Sequence, residues 1–242
     1  HHTYTNIAGM DDDIDSKLAM RFSQHTDKKW YHRFQYIYVF FFYSILTLYW
    51  ATFKDFVQLI KYRKEGVNSM NNKLLVQSVA ITIAVKFVYF LFMFILPCVF
   101  FDYSFITILI GFLIMHAISG LVLSVIFQLA HTVENTAHPL PNQKFEIENE
   151  WAVHQMHTNV NFSRYNKSLS WYIGGLNFQV EHHLFPSICH VHYRPISEIV
   201  KQTAQEFNIP YLDNPTFMLA LSSHIRALKY FGTVEKEIPN IN

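Results

Sequence analysis

The sequence predicts an all-α integral membrane protein with a membrane helical hairpin, an interfacial helix and a cytoplasmic helical cap that carries a histidine cluster. Of its 242 residues, 51% are hydrophobic and only 15% are charged, compared with about 25% charged residues in an ordinary soluble domain. Three apolar segments are long enough to cross a bilayer, and the chain holds 14 histidines. The net charge of +1 gives no reason to expect nucleic acid as a partner.

The three apolar segments cover residues 34–53, 74–101 and 103–133. The first and third contain no Asp, Glu, Lys or Arg, and the second contains only Lys86. Because a spanning helix needs about 20 mostly apolar residues, all three segments qualify by length. The second segment is longer than the hydrocarbon core requires, so we expect Lys86 to lie shallow and to extend its amine toward the interface.

The charges between the segments predict which of them cross. Lys and Arg concentrate on the cytoplasmic side of membrane proteins, and they flank the first segment at both ends. We therefore expect residues 33–53 to form an interfacial helix, and residues 78–101 and 104–130 to form the hairpin. Three full spans remain the alternative. The flanking basic residues are Arg21, Lys28, Lys29 and Arg33 before the segment, and Lys54, Lys61, Arg63, Lys64 and Lys73 after it.

The polar part after the hairpin is predicted to form the cytoplasmic cap over residues 131–210, followed by a tail over 211–242. Within the cap, we expect helices over 151–164, 170–183 and 196–207, the last because its apolar residues recur with helical spacing. The tail has mixed amphipathic character, and its sequence predicts no particular element.

The strongest local motif is GLNFQVEHHLFP, residues 175–186. His182 and His183 are adjacent, so on a helix their side chains point about 100° apart. They can therefore serve two neighbouring metal ions, one each, and Gln179 shares the face of His182. An isolated pair of this kind is more often simply solvated.

Two further stretches change this interpretation. The chain opens with a second histidine pair in HHTYTN, and QLAHTVEN places His131 at the cytoplasmic end of the last span. A hairpin returns the chain to the side that it left, so all these histidines can meet beside one leaflet. Imidazoles without thiolates suit iron, zinc or copper. The candidate ligands are His1, His2, His131, His182 and His183.

The stretches HHTYTNIAGMDDDID, FQLAHTVENTAHP and GLNFQVEHHLFP resemble the membrane-bound fatty acid desaturase family, in particular its front-end, linoleoyl-type bacterial members. The resemblance implies two non-haem iron ions, O2 as co-substrate, a fatty acyl substrate on CoA or in a lipid, and an electron donor of ferredoxin or cytochrome b5 type. It also implies that residues 1–210 are the C-terminal part of a desaturase domain. The family's first histidine box is missing from this sequence, so we expect the 242 residues alone to be inactive and to bind less than two irons.

The resemblance also assigns individual roles. His1 and His2 correspond to the second histidine box, His131 to a ligand between boxes, and His182 and His183 to the third box. Gln179 takes the position of a histidine and is expected to ligate iron or to orient a ligand. The acidic run 11–13 can orient second-box histidines.

Weaker candidates lie around the cap. His154 and His157 are spaced i and i+3, which places two side chains on one helix face, but packing or hydrogen bonding to ligands is the better explanation. The resemblance emphasises Gln155 and Asn161 more than these histidines. Asn177 is a candidate for a hydrogen bond to a ligand.

The function predicted by these residues is O2-dependent introduction of a double bond into a fatty acyl chain. Two alternatives remain open. A membrane hydroxylase could use the same metal architecture, and a non-catalytic lipid-binding protein could carry the histidines without a redox metal.

Overall fold

The computed structural model describes residues 1–11, 14, 19–64, 66, 71–144 and 146–236. The chain divides into two compact units, one formed by His1–Val39 with Val125–Asn242 and the other by Phe40–Ser124. We call the first the histidine unit and the second the apolar unit. The division falls within two continuous helices, α1 and α5, whose bounds are given next.

Three long helical stretches follow one another along the chain, as predicted. All three are long and apolar enough to cross a membrane: Trp30–Lys64, Asn72–Phe100 and Phe105–His131. The interfacial position of the first stays a prediction. Their elements are a 3-10 turn Trp30–Phe34, α1 Gln35–Tyr49, a π segment Trp50–Lys54, α2 Asp55–Lys64, α3 Asn72–Phe90, a π segment Leu91–Ile95, α4 Leu96–Phe100 and α5 Phe105–His131.

The apolar unit exposes large hydrophobic side chains instead of burying them. Val85, Phe87 and Val99 are each more than 60% exposed, and none of the most apolar window of Asn72–Phe100 is buried. In water such a surface would be unfavourable, because each exposed apolar side chain loses the free energy of burial. The surface therefore suits a hydrocarbon environment.

Lys86 is paired with an acidic side chain and two carbonyl oxygens, and its shallow position near the interface stays a prediction. Its Nζ lies 2.7 Å from Oδ2 of Asp55 and donates to the carbonyl oxygens of Ala51 at 2.9 Å and Trp50 at 3.2 Å. Both carbonyl groups belong to the first two residues of the π segment Trp50–Lys54, where the regular helical hydrogen-bond pattern changes. The charge is thus compensated locally, as an ionisable group among apolar helices must be.

The histidine unit contains shorter elements around two buried apolar clusters, one containing Leu129 and Phe162 and the other containing Met156 and Val180. The two strands pair in parallel, with Asn161 opposite Asp213. The elements are α6 Trp151–Thr158, β1 Asn161–Phe162, α7 Lys167–Tyr172, α8 Gln179–Leu184, a 3-10 turn His190–His192, α9 Tyr193–Glu206, β2 Asp213–Asn214 and α10 Phe217–Thr233.

Two predicted helices of the cap were wrong in extent. The predicted helix 151–164 ends at Thr158, because the following residues become extended and pair with β2. The predicted helix 170–183 is two helices, because Gly174 and Gly175 have positive φ angles of 61° and 75°, which end a right-handed helix. The predicted helix 196–207 is confirmed within α9.

The residues after 211, which the sequence analysis set apart as a tail, include α10 and belong to the histidine unit. Arg21, 1% exposed, donates to the carbonyl oxygens of Phe231 and Val234, both at 2.6 Å. Gln35 donates to the carbonyl oxygen of Leu228 at 2.7 Å. The end of α10 is therefore fixed by buried polar side chains from distant parts of the chain.

Candidate metal centre

Five histidine rings that are far apart in sequence come together in the histidine unit, as predicted. The ring of His1 lies 4.7 Å from that of His131 and 5.1 Å from that of His183, measured between centroids. The ring of His2 lies 4.8 Å from that of His182 and 4.3 Å from that of His183. The predicted convergence is thus confirmed.

The cluster contains one compact group of three. Nitrogen atoms of His1, His131 and His183 all lie within 4.8 Å of one another, which is close enough for one ion to bind between them. His182 and His183 diverge, with centroids 5.7 Å apart and planes at 81°. His182 instead faces His2, so the adjacent pair contributes to two neighbouring groups, as the helix geometry predicts.

The opening turn is attached to the rest of the site by Asn6. Its backbone N–H donates to Oδ2 of Asp11 at 2.9 Å, and its Nδ2 donates to the carbonyl oxygens of His131 at 3.0 Å and Thr158 at 3.2 Å. Asn6 adopts a positive φ of 59°, which Asn tolerates better than most residues. One side chain thereby joins the opening histidines to the end of α5 and to α6.

A carboxylate orients the first histidine. Both oxygens of Asp11 lie 3.0 Å from Nδ1 of His1, and Asp11 is fully buried. A carboxylate on Nδ1 fixes the ring and leaves Nε2 as the coordinating nitrogen, a common arrangement around metal-binding histidines. The expected orienting role of the acidic run thus has a structural basis at Asp11, whereas Asp12 and Asp13 lie outside the described residues.

The third-box histidines have polar partners of their own. Nδ1 of His183 donates to Oε1 of Gln155 at 2.8 Å. The same nitrogen lies 3.2 Å from Oγ1 of Thr5. Nδ1 of His182 lies 3.2 Å from the hydroxyl of Tyr193. Sequence reasoning missed Thr5 and Tyr193, because a hydroxyl distant in sequence carries no signal that it meets a particular ring.

Two buried side chains at the site have unpartnered polar atoms. Neither ring nitrogen of His131 and neither amide atom of Gln179 has a hydrogen-bond partner among the described residues, although each side chain is only 1% exposed. Buried polar atoms almost always have a partner, and a metal ion would provide one for a ring nitrogen of His131 and for the amide oxygen of Gln179. The all-imidazole set therefore fits the iron that the family resemblance implies.

The electrostatic environment favours neutral imidazoles. Burial lowers the pKa of His182, and it lowers the pKa of His2 and His183 together with repulsion from neighbouring imidazoles. For His183 the pKa falls well below its ordinary value. Neutral imidazole is the form that coordinates metals, so these histidines are ready to bind an ion at neutral pH.

The weaker candidates lie apart from the ring cluster. His154 is 2% exposed, and within the described residues neither its ring nor that of His157 contacts one of the five clustered rings. Asn177 donates to the carbonyl oxygen of Ser163 at 3.4 Å and to Oγ of Ser170 at 2.9 Å. Asn177 therefore holds the loop before α8 rather than a clustered ring.

Comparison with known proteins identifies the family. The family model named fatty acid desaturase matches residues 1–215. The chain belongs to the fatty acid desaturase family. With its three long apolar helices, this desaturase-family chain is a membrane protein.

The curated relatives carry related names. The chain is 35% identical to the sn-1 linoleoyl-lipid 6-desaturase of Arthrospira platensis over 95% of this chain and 61% of that protein. It is also 35% identical to the protein of the same name from Synechocystis sp., covering 96% of this chain and 64% of the relative, and to the acyl-lipid (8-3)-desaturase of Physcomitrium patens, covering 97% and 49%. The chain therefore spans about half to two thirds of these relatives. No solved structure matches it significantly.

Beside α8 of this desaturase-family chain lies an apolar groove of about 330 Å³. Its walls come from α6, the end of α8 and α9, and they include Met156, Leu184 and Ile199. Its volume lies at the lower end of the range of small-molecule pockets, about 300–1,000 Å³. The histidine unit thus offers an apolar surface beside α8.

Proposed function

We propose that the protein is an acyl-lipid desaturase with a dinuclear iron centre, and that the chain described here carries five of the iron ligands. The observation that carries this proposal is the convergence of five imidazoles, in which the ring of His183 contacts the other four and the buried ring of His131 has no hydrogen-bond partner among the described residues. Family membership and the names of the relatives support the substrate class. An acyl group carried on CoA is the alternative form of the substrate.

The reaction converts adjacent CH2 groups of the acyl chain into CH=CH. Two hydrogens leave the chain, O2 is reduced to two water molecules, and the balance requires two further electrons and two protons. The electrons would come from a reduced donor of ferredoxin or cytochrome b5 type. When bound, the two irons would supply the redox chemistry that reduces O2 at the site.

The residues of the chain hold and orient the site. Asp11 fixes the ring of His1, and Gln155 with Thr5 fixes that of His183. Because these partners occupy Nδ1, the opposite nitrogen Nε2 is the one directed to an ion. Such fixed rings would hold the irons in one geometry, so that less reorganisation is needed at the centre during the reaction.

Gln179 is proposed to contribute its amide oxygen to the centre. It lies three and four residues before the two third-box histidines, on the same side of α8, and its amide has no hydrogen-bond partner among the described residues. It can act as a weak ligand or bond to a water molecule at the centre. The site is proposed to lie on the cytoplasmic side, following the distribution of basic residues.

The proposal is tested by product analysis in a version of the protein that has the full length of the curated relatives. Cells expressing it would be supplied with a defined fatty acid, and their lipids analysed by mass spectrometry. Loss of two hydrogens supports a desaturase, whereas gain of one oxygen indicates a hydroxylase. Unchanged lipids, or wild-type product from the double variant H182A/H183A, would contradict the proposal.

The 242 residues alone are proposed to be inactive and to hold less than two irons. The five histidines described here leave coordination positions that two irons would need to fill from elsewhere. Iron would be counted per chain by elemental analysis after purification in detergent. Two irons per chain together with turnover would contradict this part of the proposal.

A further inference from the structure

A buried hydrogen-bonded triangle is attached to the ligand-bearing helix but contacts none of the clustered rings. Nδ2 of Asn161 donates to Oε2 of Glu181 at 2.7 Å and to the hydroxyl oxygen of Tyr211 at 2.6 Å. The Tyr211 hydroxyl in turn donates to Oε1 of Glu181 at 3.0 Å. Every donor and carboxylate oxygen of this triangle therefore has a partner within it.

The remaining polar atom of Asn161 bonds to the backbone of α8. Its Oδ1 accepts from the N–H of Val180 at 2.9 Å. This N–H belongs to the first turn of α8, where backbone donors have no partner within the helix. Asn161 thus forms hydrogen bonds with two successive residues of α8, with the backbone N–H of Val180 and with the side chain of Glu181.

The other side of the triangle is held by the parallel sheet. Asn161 lies in β1, opposite Asp213 of β2, and its backbone N–H donates to the carbonyl oxygen of Leu212 at 3.0 Å. Asn161 and Glu181 are both 0% exposed. A buried carboxylate is unfavourable unless it is hydrogen-bonded, so Glu181 is confined to the orientation in which both partners reach it.

α8 needs such an external support. It has only six residues, and isolated helices of that length are unstable. It nevertheless carries His182, His183 and Gln179. Since successive residues on a helix are turned by about 100°, a modest rotation of α8 would direct both rings away from their ions.

We propose that Asn161, Glu181 and Tyr211 form a positioning clamp that fixes the rotation of α8 and thereby aims the third-box histidines at the metal centre. The inference deepens the proposed function and rests on it. The three side chains touch neither ring, so they act through the helix. Their removal should weaken iron binding while the overall fold is retained.

The test uses Y211F and N161A in a detergent-purified, iron-loaded version of the protein that has the full length of the curated relatives. Y211F removes a single oxygen, so it carries the test if N161A fails to fold. The measurements are iron per chain, the rate of iron loss to a chelator, and the Mössbauer spectrum after loading with ⁵⁷Fe. We expect iron affinity to fall about 10–100-fold, as it does when residues supporting metal ligands are removed, with an altered spectrum. E181Q, which keeps one acceptor oxygen, should retain more iron than E181A.

The matched control is T216A. Thr216 caps α10 by accepting from the N–H of Leu219 at 3.2 Å, so its loss destabilises the same unit without touching α8. T216A should lower the midpoint of thermal unfolding and leave iron affinity and the spectrum unchanged. Wild-type iron affinity in Y211F, or equal iron loss in Y211F and T216A, would overturn the clamp. A wild-type protein that binds no iron would overturn the proposed function itself.

Discussion

His116 and His131 lie on the same helix, α5, one in the apolar unit and one in the histidine unit, yet their surroundings differ. Nδ1 of His116 lies 3.0 Å from Oγ1 of Thr47, and its Nε2 lies 2.9 Å from the hydroxyl of Tyr89. His131 has no such partner for either nitrogen within the described residues. Both rings are buried, at 6% and 1% exposure. Burial alone therefore does not mark a metal ligand; at His131 burial is combined with ring nitrogens that lack hydrogen bonds and with two neighbouring imidazoles.

The same contrast extends to the two units. In the apolar unit, the charge of Lys86 is compensated by Asp55 and two carbonyl oxygens. In the histidine unit, buried atoms without partners among the described residues occur at His131, Gln179 and His154. Polar groups of the first kind stabilise helices, whereas those of the second kind are available to bind a ligand. The first of the following predictions tests that distinction directly.

The largest effect is expected from the same substitution at the two histidines of α5. H131Q removes a proposed ligand, so product formation and iron affinity should fall at least about 100-fold, since loss of a ligand exceeds the 10–100-fold effect of losing its support. H116Q retains polar atoms for Thr47 and Tyr89 and should keep most of the activity. Iron analysis and lipid product analysis of both variants, made in a version of the protein that has the full length of the curated relatives, check this. Equal losses in H131Q and H116Q would remove the basis of the comparison.

The next effect concerns a ring held by a carboxylate. D11N keeps the shape of Asp11 but removes the charge that faces Nδ1 of His1. Iron affinity should fall about 10–100-fold, measured by competition with a chelator. The control is D27N, which removes a solvent-exposed partner of Lys236; exposed ion pairs contribute little, about 0–1 kcal/mol. Iron affinity close to wild type in D11N would show that the carboxylate does not support the site.

A smaller effect should follow from the turn that precedes α8. Gly174 and Gly175 both have positive φ, but only at Gly175 would an added Cβ be crowded, 2.8 Å from Cβ of His190. G174A should lower the unfolding free energy by about 1–2 kcal/mol, because alanine is strained in the left-handed backbone conformation. G175A should lower it by about 1–3 kcal/mol more, because its Cβ would also overpack against His190. Denaturant unfolding measures both. A cost for G174A as large as that for G175A would contradict the close packing at His190.

The smallest effect concerns a histidine that is buried but bonded. Nδ1 of His224 donates to the carbonyl oxygen of Thr132 at 2.6 Å, and burial lowers the pKa of His224 to about 4 from its ordinary value of 6.5. At pH values between about 4 and 6.5, His224 is protonated in the unfolded chain and neutral in the folded chain. Stability should therefore fall as the pH drops from about 6.5 towards 4, by about 1.4 kcal/mol per pH unit for this group.

The variant H224N keeps a donor near the position of Nδ1 and removes the titration. In the metal-free protein, the unfolding free energy of H224N should depend less steeply on pH between 7.5 and 5 than that of the wild type. Parallel pH dependences in the two proteins would show that His224 is protonated in the folded state.

The sequence was sufficient for the helical membrane class and for the convergence of the five histidines. Long uncharged segments predict apolar helices, and the hairpin places distant histidines on one side. The sequence was not sufficient to predict the short helices and strands of the histidine unit. The strand at Asn161 and the partners Thr5, Tyr193 and Tyr211 depend on contacts between residues far apart in sequence, which local patterns do not record. The close approach of Gly175 to His190 likewise joins residues that no local pattern connects.

The most direct test of the central claim is to locate iron by anomalous scattering at the iron absorption edge, in crystals of an iron-loaded version of the protein that has the full length of the curated relatives. The account predicts two anomalous peaks, one within coordinating distance of His1, His131 and His183 and the other beside His2 and His182. Peaks elsewhere, or none at the ring cluster despite full loading, would contradict it.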